Sequence, residues 1–158
     1  MTVTTNVKAP DFELVSHKGE KVRLADLLAQ GPVVLAFFPL AFTGVCTTEM
    51  CEFRDMMAEF AGLDAHVLGL SVDSRFALQA FAEKNNLDFP LLSDFNKEVG
   101  KAYGVLYEDF LGMHGVHKRS LFVVDREGTV RYSWVSEQAG VKPDLGPVKE
   151  TLKALKAS

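Results

Sequence analysis

The chain has 158 residues, 47% of them hydrophobic and 24% charged, which suits one domain over residues 1–158 with a single sizeable core. Its formal charge is -4, and it lacks the clustered Lys and Arg by which proteins hold a nucleic-acid backbone or an anionic membrane surface. No apolar run reaches the roughly 20 residues that cross a bilayer, and Met1 to Pro10 has no hydrophobic signal core, so a cytoplasmic compartment is expected.

In chain order, Phe12 to Val15 alternates, Ser16-His17-Lys18-Gly19 signals a turn, and Lys21 to Leu24 resumes the alternation. This predicts an N-terminal β-hairpin. Ala25 to Gln30, closed by Gly31, reads as a short helix. Val33 to Phe38 is a continuous apolar run rich in β-branched and aromatic residues, and it stops at Pro39. Such a run predicts a strand buried on both faces, and His66 to Val72 and Ser120 to Val124 read the same way. Helical patterns cover Cys46 to Phe60, Arg75 to Asn85, Lys97 to Tyr103 and Lys149 to Lys156. Pro90 to Ser93 reads as a further strand, and Asp125 to Gly128 as a hairpin turn into a strand from Thr129 to Val135. Buried strands alternating with helices, with a hairpin at each end, predict an α/β fold: a mixed central sheet flanked by helices. Ligands of such folds bind beyond the carboxyl ends of the strands, and Pro39 to Cys46 lies just past one of them.

In a thiol-reducing compartment, two cysteines read as reactive or metal-binding groups more readily than as a permanent bridge. Met50, Phe53, Met57 and Phe60 mark one helical face, and Cys46 falls on the same inward stripe in the first turn. Thr43 is the candidate N-cap, which makes Cys46 the third helical residue. There the positive end of the helix and its free N–H groups favour a thiolate. The other reading of Cys46 is a small buried hydrophobe. Cys51 lies five residues on, about 7.5 Å along an ideal helix, so the Cα atoms stand roughly 8 to 9 Å apart, beyond the ~7 Å that a disulfide tolerates. An intact helix therefore forbids a Cys46–Cys51 bond, which requires the first turn or two to unwind. Sharing its stripe with Arg54 and Asp55, Cys51 is expected nearer solvent than Cys46. It reads either as a resolving thiol or as an incidental surface-proximal cysteine.

Cys46, Cys51, His114 and His117 also offer four zinc ligands, although His-x2-His is tighter than the usual spacing and Cys-x4-Cys on a helix is unusual for a zinc knuckle. Otherwise His114 and His117 read as loop histidines. Arg119, beside Lys118, reads as a solvated base unless the strand that it opens brings it to Cys46. No glycine-rich phosphate loop is present in the sequence, so no nucleotide site is inferred.

Pro39-x3-Thr43-x2-Cys46, preceded by an aromatic strand and followed by a helix, resembles the signature of the peroxiredoxins. Ala9-Pro10-Asp11-Phe12, Phe89 to Asp94, Ala102-Tyr103-Gly104-Val105 and Arg119 with Leu121 to Asp125 extend the resemblance over nearly the whole chain. It implies a thioredoxin-like fold and reduction of hydrogen peroxide and organic hydroperoxides by Cys46 as the peroxidatic cysteine. Thr43 would then hydrogen-bond the peroxide and the sulfur, Pro39 would shield the site from water, and Arg119 would favour the thiolate and the charge developing on the peroxide. Phe37 to Gly44 is similar to the AhpE-type peroxiredoxins, many of them one-cysteine enzymes. Cys46-Thr47-Thr48-Glu49-x-Cys51 is similar to the bacterioferritin-comigratory, or Q-type, group, where the second cysteine forms an intramolecular disulfide. The resemblance thus implies a sulfenic acid intermediate, a Cys46–Cys51 disulfide, reduction by thioredoxin or a similar dithiol, no metal or bound organic cofactor, and a monomer or homodimer.

Overall fold

The computed structural model describes residues 1–157. Its elements are β1 (Glu13–Ser16), β2 (Lys21–Arg23), α1 (Leu24–Leu28), β3 (Val33–Phe37), α2 (Gly44–Asp55), α3 (Met57–Gly62), β4 (His66–Ser71), α4 (Arg75–Asn85), β5 (Leu91–Ser93), α5 (Glu98–Tyr103), β6 (Ser120–Val124), β7 (Val130–Val135) and α6 (Gly146–Ala157). The strands form one sheet in the order β2-β1-β5-β4-β3-β6-β7. β3, β4 and β5 pair in parallel, while β1–β2, β1–β5, β3–β6 and β6–β7 are antiparallel, which makes the sheet mixed as expected.

The apolar runs fill both faces of this sheet, because successive side chains on a strand point to opposite sides. Val34, Ala36 and Phe38 join one core cluster with Cys46, Met50, Phe53, Leu121 and Val123. Val33, Leu35 and Phe37 join the other with Leu68, Leu70, Tyr103, Phe122 and Val124. Every residue of β3 and of β6 is buried, so neither strand could have shown an alternating polar pattern.

The helix expected over Cys46 to Phe60 begins earlier, at Gly44, and breaks at Met56. Met56 has φ -103° and ψ 5°, and its N–H bonds back to the Phe53 carbonyl at 3.1 Å, three residues away instead of four. In a straight helix two residues seven apart share a face but stand about 10 Å apart along the axis. The break brings the rings of Phe53 and Phe60 to 5.9 Å, packing both into one core. The last helix also starts earlier than expected, at Gly146, whose N–H is capped by Asp144 Oδ1 at 2.9 Å, with Pro147 in its first turn.

Candidate active site

The site forms where β3 ends and α2 begins. The chain leaves β3 through the buried Phe38 and Pro39, and the loop is fixed from β4: Asp73 accepts from the Ala41 N–H at 2.8 Å and from the Ser71 hydroxyl at 2.6 Å. Phe42 then takes φ 69°, a left-handed conformation that is costly for a bulky residue and marks a turn held by its surroundings. Its ring is half exposed and packs edge-on against Phe81 at 5.3 Å.

Thr43 is the N-cap by position, with extended backbone at φ -81° and ψ 154°. Its hydroxyl does not cap the helix as expected. It donates instead to the Leu40 carbonyl at 2.9 Å, tying the loop to the helix start. The first backbone bond of the helix runs from the Thr47 N–H to the Thr43 carbonyl at 2.9 Å. Cys46 is thus the third helical residue, ahead of that bond, where backbone N–H groups and the helix dipole present positive charge.

Cys46 is fully buried. Its sulfur accepts a hydrogen bond from Arg119 Nη2 at 3.1 Å. The direction of one strand pair explains how a residue 73 positions away reaches it. β6 runs antiparallel to β3 with Ser120 opposite Phe37, so the start of β6 lies beside the end of β3. Arg119, immediately before Ser120, is thereby delivered to the mouth of α2. The solvated reading of Arg119 does not hold, since its side chain is only 2% exposed. All three faces of its guanidinium are used: Nε donates to the Ala139 carbonyl at 2.8 Å, Nη1 to Glu49 Oε1 at 2.8 Å, and Nη2 to the sulfur. Burial opposes the charge of Arg119, but the Cys46 sulfur and the Glu49 carboxyl outweigh it and hold its pKa above the ordinary arginine value.

Glu49 is the residue that the sequence reading missed. It stands three positions after Cys46 and one before Met50, on the inward stripe of α2, and is 1% exposed. Burial pushes its carboxyl up to about 7, against the pull of Arg119. Its second oxygen, Oε2, is buried and has no hydrogen-bond partner among the described residues. An acidic residue on an otherwise apolar helical face was the available signal.

Cys51 lies on the same unbroken helix as Cys46, part-exposed, with its sulfur 3.8 Å from Asn85 Oδ1. Arg54 Nη1 donates to the Asn85 carbonyl at 2.7 Å, fastening this half of α2 to the end of α4. The four residues of the zinc reading are not brought together. No three His, Cys, Asp or Glu side chains among the described residues cluster as metal ligands. His114 sits on an exposed loop against the Glu108 carbonyl. His117 is fully buried, unlike an ordinary loop histidine, with Nε2 2.7 Å from Asp94 and Nδ1 3.2 Å from the Leu70 carbonyl.

Compared with known proteins, residues 5–133 match the model of the AhpC/TSA family. The chain belongs to that family. It is 39% identical to the peroxiredoxin Bcp of Bacillus subtilis, over 97% of each chain. It is 37% identical to the chloroplastic 2-Cys peroxiredoxin BAS1 of Spinacia oleracea over 94% of its own length, but spans only 58% of that relative. Among solved structures, the peroxidoxin BcpB of Mycobacterium tuberculosis superposes with a TM-score of 0.87 at 38% identity, covering 97% of this chain and 98% of the other. The thioredoxin-like fold implied by the sequence resemblance is the fold of this AhpC/TSA member. No helix among its described residues is long and apolar enough to cross a membrane.

Proposed function

We propose that the chain is a thiol-dependent peroxidase that reduces hydrogen peroxide and organic hydroperoxides through Cys46. The observation that carries this reading is the 3.1 Å hydrogen bond from a buried arginine to a buried sulfur at a helix N-terminus. A cation, backbone N–H groups and a helix dipole meet at one sulfur, an arrangement suited to a thiolate nucleophile and to the charge that builds on a departing oxygen.

In the proposed cycle the Cys46 thiolate attacks the terminal peroxide oxygen in line. The S–O bond forms as the O–O bond breaks, water or an alcohol departs, and Cys46 is left as a sulfenic acid. Arg119 and the N–H of Cys46 stabilise the negative charge as it moves from sulfur to oxygen. Thr43 spends its proton on Leu40, so toward the substrate it offers lone pairs and accepts from the peroxide O–H. Pro39, buried in the loop before it, keeps that side of the site dry. Cys51 then attacks the sulfenic acid after the start of α2 unwinds, and thioredoxin or a similar dithiol reduces the disulfide by exchange. Such recycling places the protein in a thiol-reducing compartment, for which the cytoplasm is the proposed case.

Intact mass after one equivalent of hydrogen peroxide tests the cycle. Loss of two hydrogens is expected, from a disulfide. A gain of oxygen atoms with no disulfide would replace intramolecular resolution by one-cysteine chemistry, and an unchanged mass would sink the peroxidase reading.

A further inference from the structure

Three groups of the site share too few charges to be ionised together at no cost. Arg119 brings one positive charge, and its guanidinium touches two potential anions, the Cys46 sulfur at 3.1 Å and Glu49 Oε1 at 2.8 Å. All three side chains are buried. With thiolate and carboxylate both present, the buried site would carry an unbalanced negative charge, which a low-dielectric interior penalises strongly. One proton on either acid restores neutrality.

The hydrogen bonds say where that proton belongs. Cys46 already accepts from Arg119, as a thiolate should. Glu49 accepts from Arg119 through Oε1 alone, while Oε2 is the one buried side-chain oxygen or nitrogen without a partner among the described residues. An unpartnered buried hydroxyl costs far less than an unpartnered buried anionic oxygen. The geometry points to Glu49 as the holder of the site's proton: a neutral acid with its hydrogen on Oε2 while Cys46 is a thiolate, and a carboxylate once Cys46 is oxidised. This rests on the peroxidase reading above.

The charges then balance through the step. Before reaction the site holds a thiolate, a guanidinium and a carboxylic acid. The sulfur is oxidised as it bonds to the terminal oxygen, the peroxide is reduced, and the O–O electron pair leaves on the departing oxygen. That oxygen takes up one proton from solvent to leave as water or an alcohol, and Glu49 releases its own proton to solvent as the negative charge on the sulfur disappears. Afterwards the site holds a neutral sulfenic acid, a guanidinium and a carboxylate, so Arg119 faces one anion throughout. The other charged groups near Glu49 do not supply this balance. Glu52, on the same helix, adds like charge, and Lys142, from the segment before α6, is itself paired to Glu52. Burial is the chief cause that raises the Glu49 carboxyl, to about 7, and it favours the neutral acid in the reduced protein. Glu49 acts through Arg119 and is a positioning residue.

An infrared difference spectrum decides the matter, taken on the Cys51→Ser protein reduced and then treated with one equivalent of hydrogen peroxide, at a pH about one unit below the Glu49 value of about 7. Loss of one protonated-carboxyl band is expected in step with the gain of one oxygen in mass, and the band should be missing from the same protein carrying Glu49→Gln. Oxygen gained with no change in that band overturns the proposal. Should Glu49→Gln fail to fold, carboxyl-13C glutamate labelling serves instead. One glutamate should titrate near 7 and not near 4.5 in the reduced protein, then move to its ionised position on oxidation, and no such resonance overturns the proposal equally. An unchanged mass after peroxide would sink the peroxidase reading itself, and this inference with it.

Discussion

Two buried acid–base pairs flank the end of β3, and they are built to different rules. Glu49 and Arg119 meet at 2.8 Å, and Arg119 also bonds Cys46 of one core cluster. Asp94 and His117 meet at 2.7 Å, with the His117 ring 5.0 Å from Phe37 of the opposite cluster. Asp94 is saturated: Oδ1 accepts from the Val99 N–H at 3.1 Å, and Oδ2 from the Gly100 N–H at 2.8 Å and from His117. Both nitrogens of His117 face acceptors as well. Glu49 keeps one oxygen without a partner, and Arg119 commits one of its donors to a sulfur. A buried network whose acceptors are all used fixes a structure, whereas one with an unpartnered acid oxygen keeps a place where a proton can be held or released. The Asp94–His117 pair clamps the loop before β6 onto the start of α5, and in the proposed mechanism the Glu49–Arg119 pair serves the reaction.

The hardest break of this contrast is at the sulfur. Cys46→Ser should abolish peroxide turnover while the protein stays folded, because a hydroxyl is far less acidic and less nucleophilic than a thiol. A mutant that keeps a substantial share of the wild-type rate constant in a peroxide-consumption assay would remove Cys46 from the centre of the mechanism.

Next come the two pairs themselves. Arg119→Met should slow oxidation of Cys46 by about 10²- to 10³-fold, the range for loss of a preorganised donor to a developing oxyanion. Its effect on stability should be the smaller one, since without the guanidinium Cys46 can stay a neutral thiol beside a Glu49 that already holds its proton. Asp94→Ala should do the reverse. It leaves His117 and two backbone N–H groups buried without their acceptor, and should cost about 3–5 kcal/mol in denaturant unfolding, with the peroxide step changed by no more than about threefold in the folded fraction. Equal losses of rate and stability in both variants would erase the distinction between the pairs.

A smaller effect follows from pH. The Glu49 carboxyl sits at about 7 in the folded protein against an ordinary value of 4.5. A raised acid means that the folded state binds the proton more tightly than the unfolded chain, so this contribution to stability is complete below about 4.5 and is lost as pH rises through about 7. The loss is on the order of 3 kcal/mol. Glu49→Gln should flatten the unfolding free energy across this window, and a slope unchanged by the substitution would show that Glu49 is not its source.

The sequence showed one side of this contrast better than the other, for physical reasons. Cys46, Thr43 and the helix that carries them lie within a single turn of chain, and local spacing shows them. Arg119 reaches the sulfur only because β6 runs antiparallel to β3, and no local pattern encodes that direction. Burial of His117 depends equally on distant partners, Asp94 and Leu70. The hydroxyl of Thr43 bonds to Leu40 across a turn that includes the left-handed Phe42, a conformation that nothing in the local sequence signals. Glu49 is the exception: it was missed although a charge on the apolar stripe of Cys46, Met50 and Phe53 was a local signal, and its pairing with Arg119 was hidden.

The smallest rate effect is expected at Cys51. Cys51→Ser should leave the first reaction with peroxide within about twofold, since the Cys51 sulfur contacts Asn85 and takes no part in the attack at Cys46. The product should change from a disulfide to a sulfenic acid, which excess peroxide drives on to sulfinic acid, and steady turnover with thioredoxin should fall. The helix supplies the structural side of the prediction. α2 runs unbroken from Gly44 through both cysteines, and α-carbons five residues apart on it cannot come within the ~7 Å that a disulfide needs. The bridge therefore requires the start of α2 to open. Arg54 anchors the far end of the helix to the Asn85 carbonyl, so the opening should run from Gly44 to Cys51 and stop there. In the proposed cycle this opening would also separate Glu49 from Arg119, while the Asp94–His117 clamp would stay closed. Amide exchange should speed up across Gly44 to Cys51 on oxidation and stay unchanged at Val99 and Gly100, whose N–H groups Asp94 holds. Equal protection of α2 in the reduced and oxidised proteins would rule out intramolecular resolution and leave a one-cysteine peroxidase whose sulfenic acid an external thiol reduces directly.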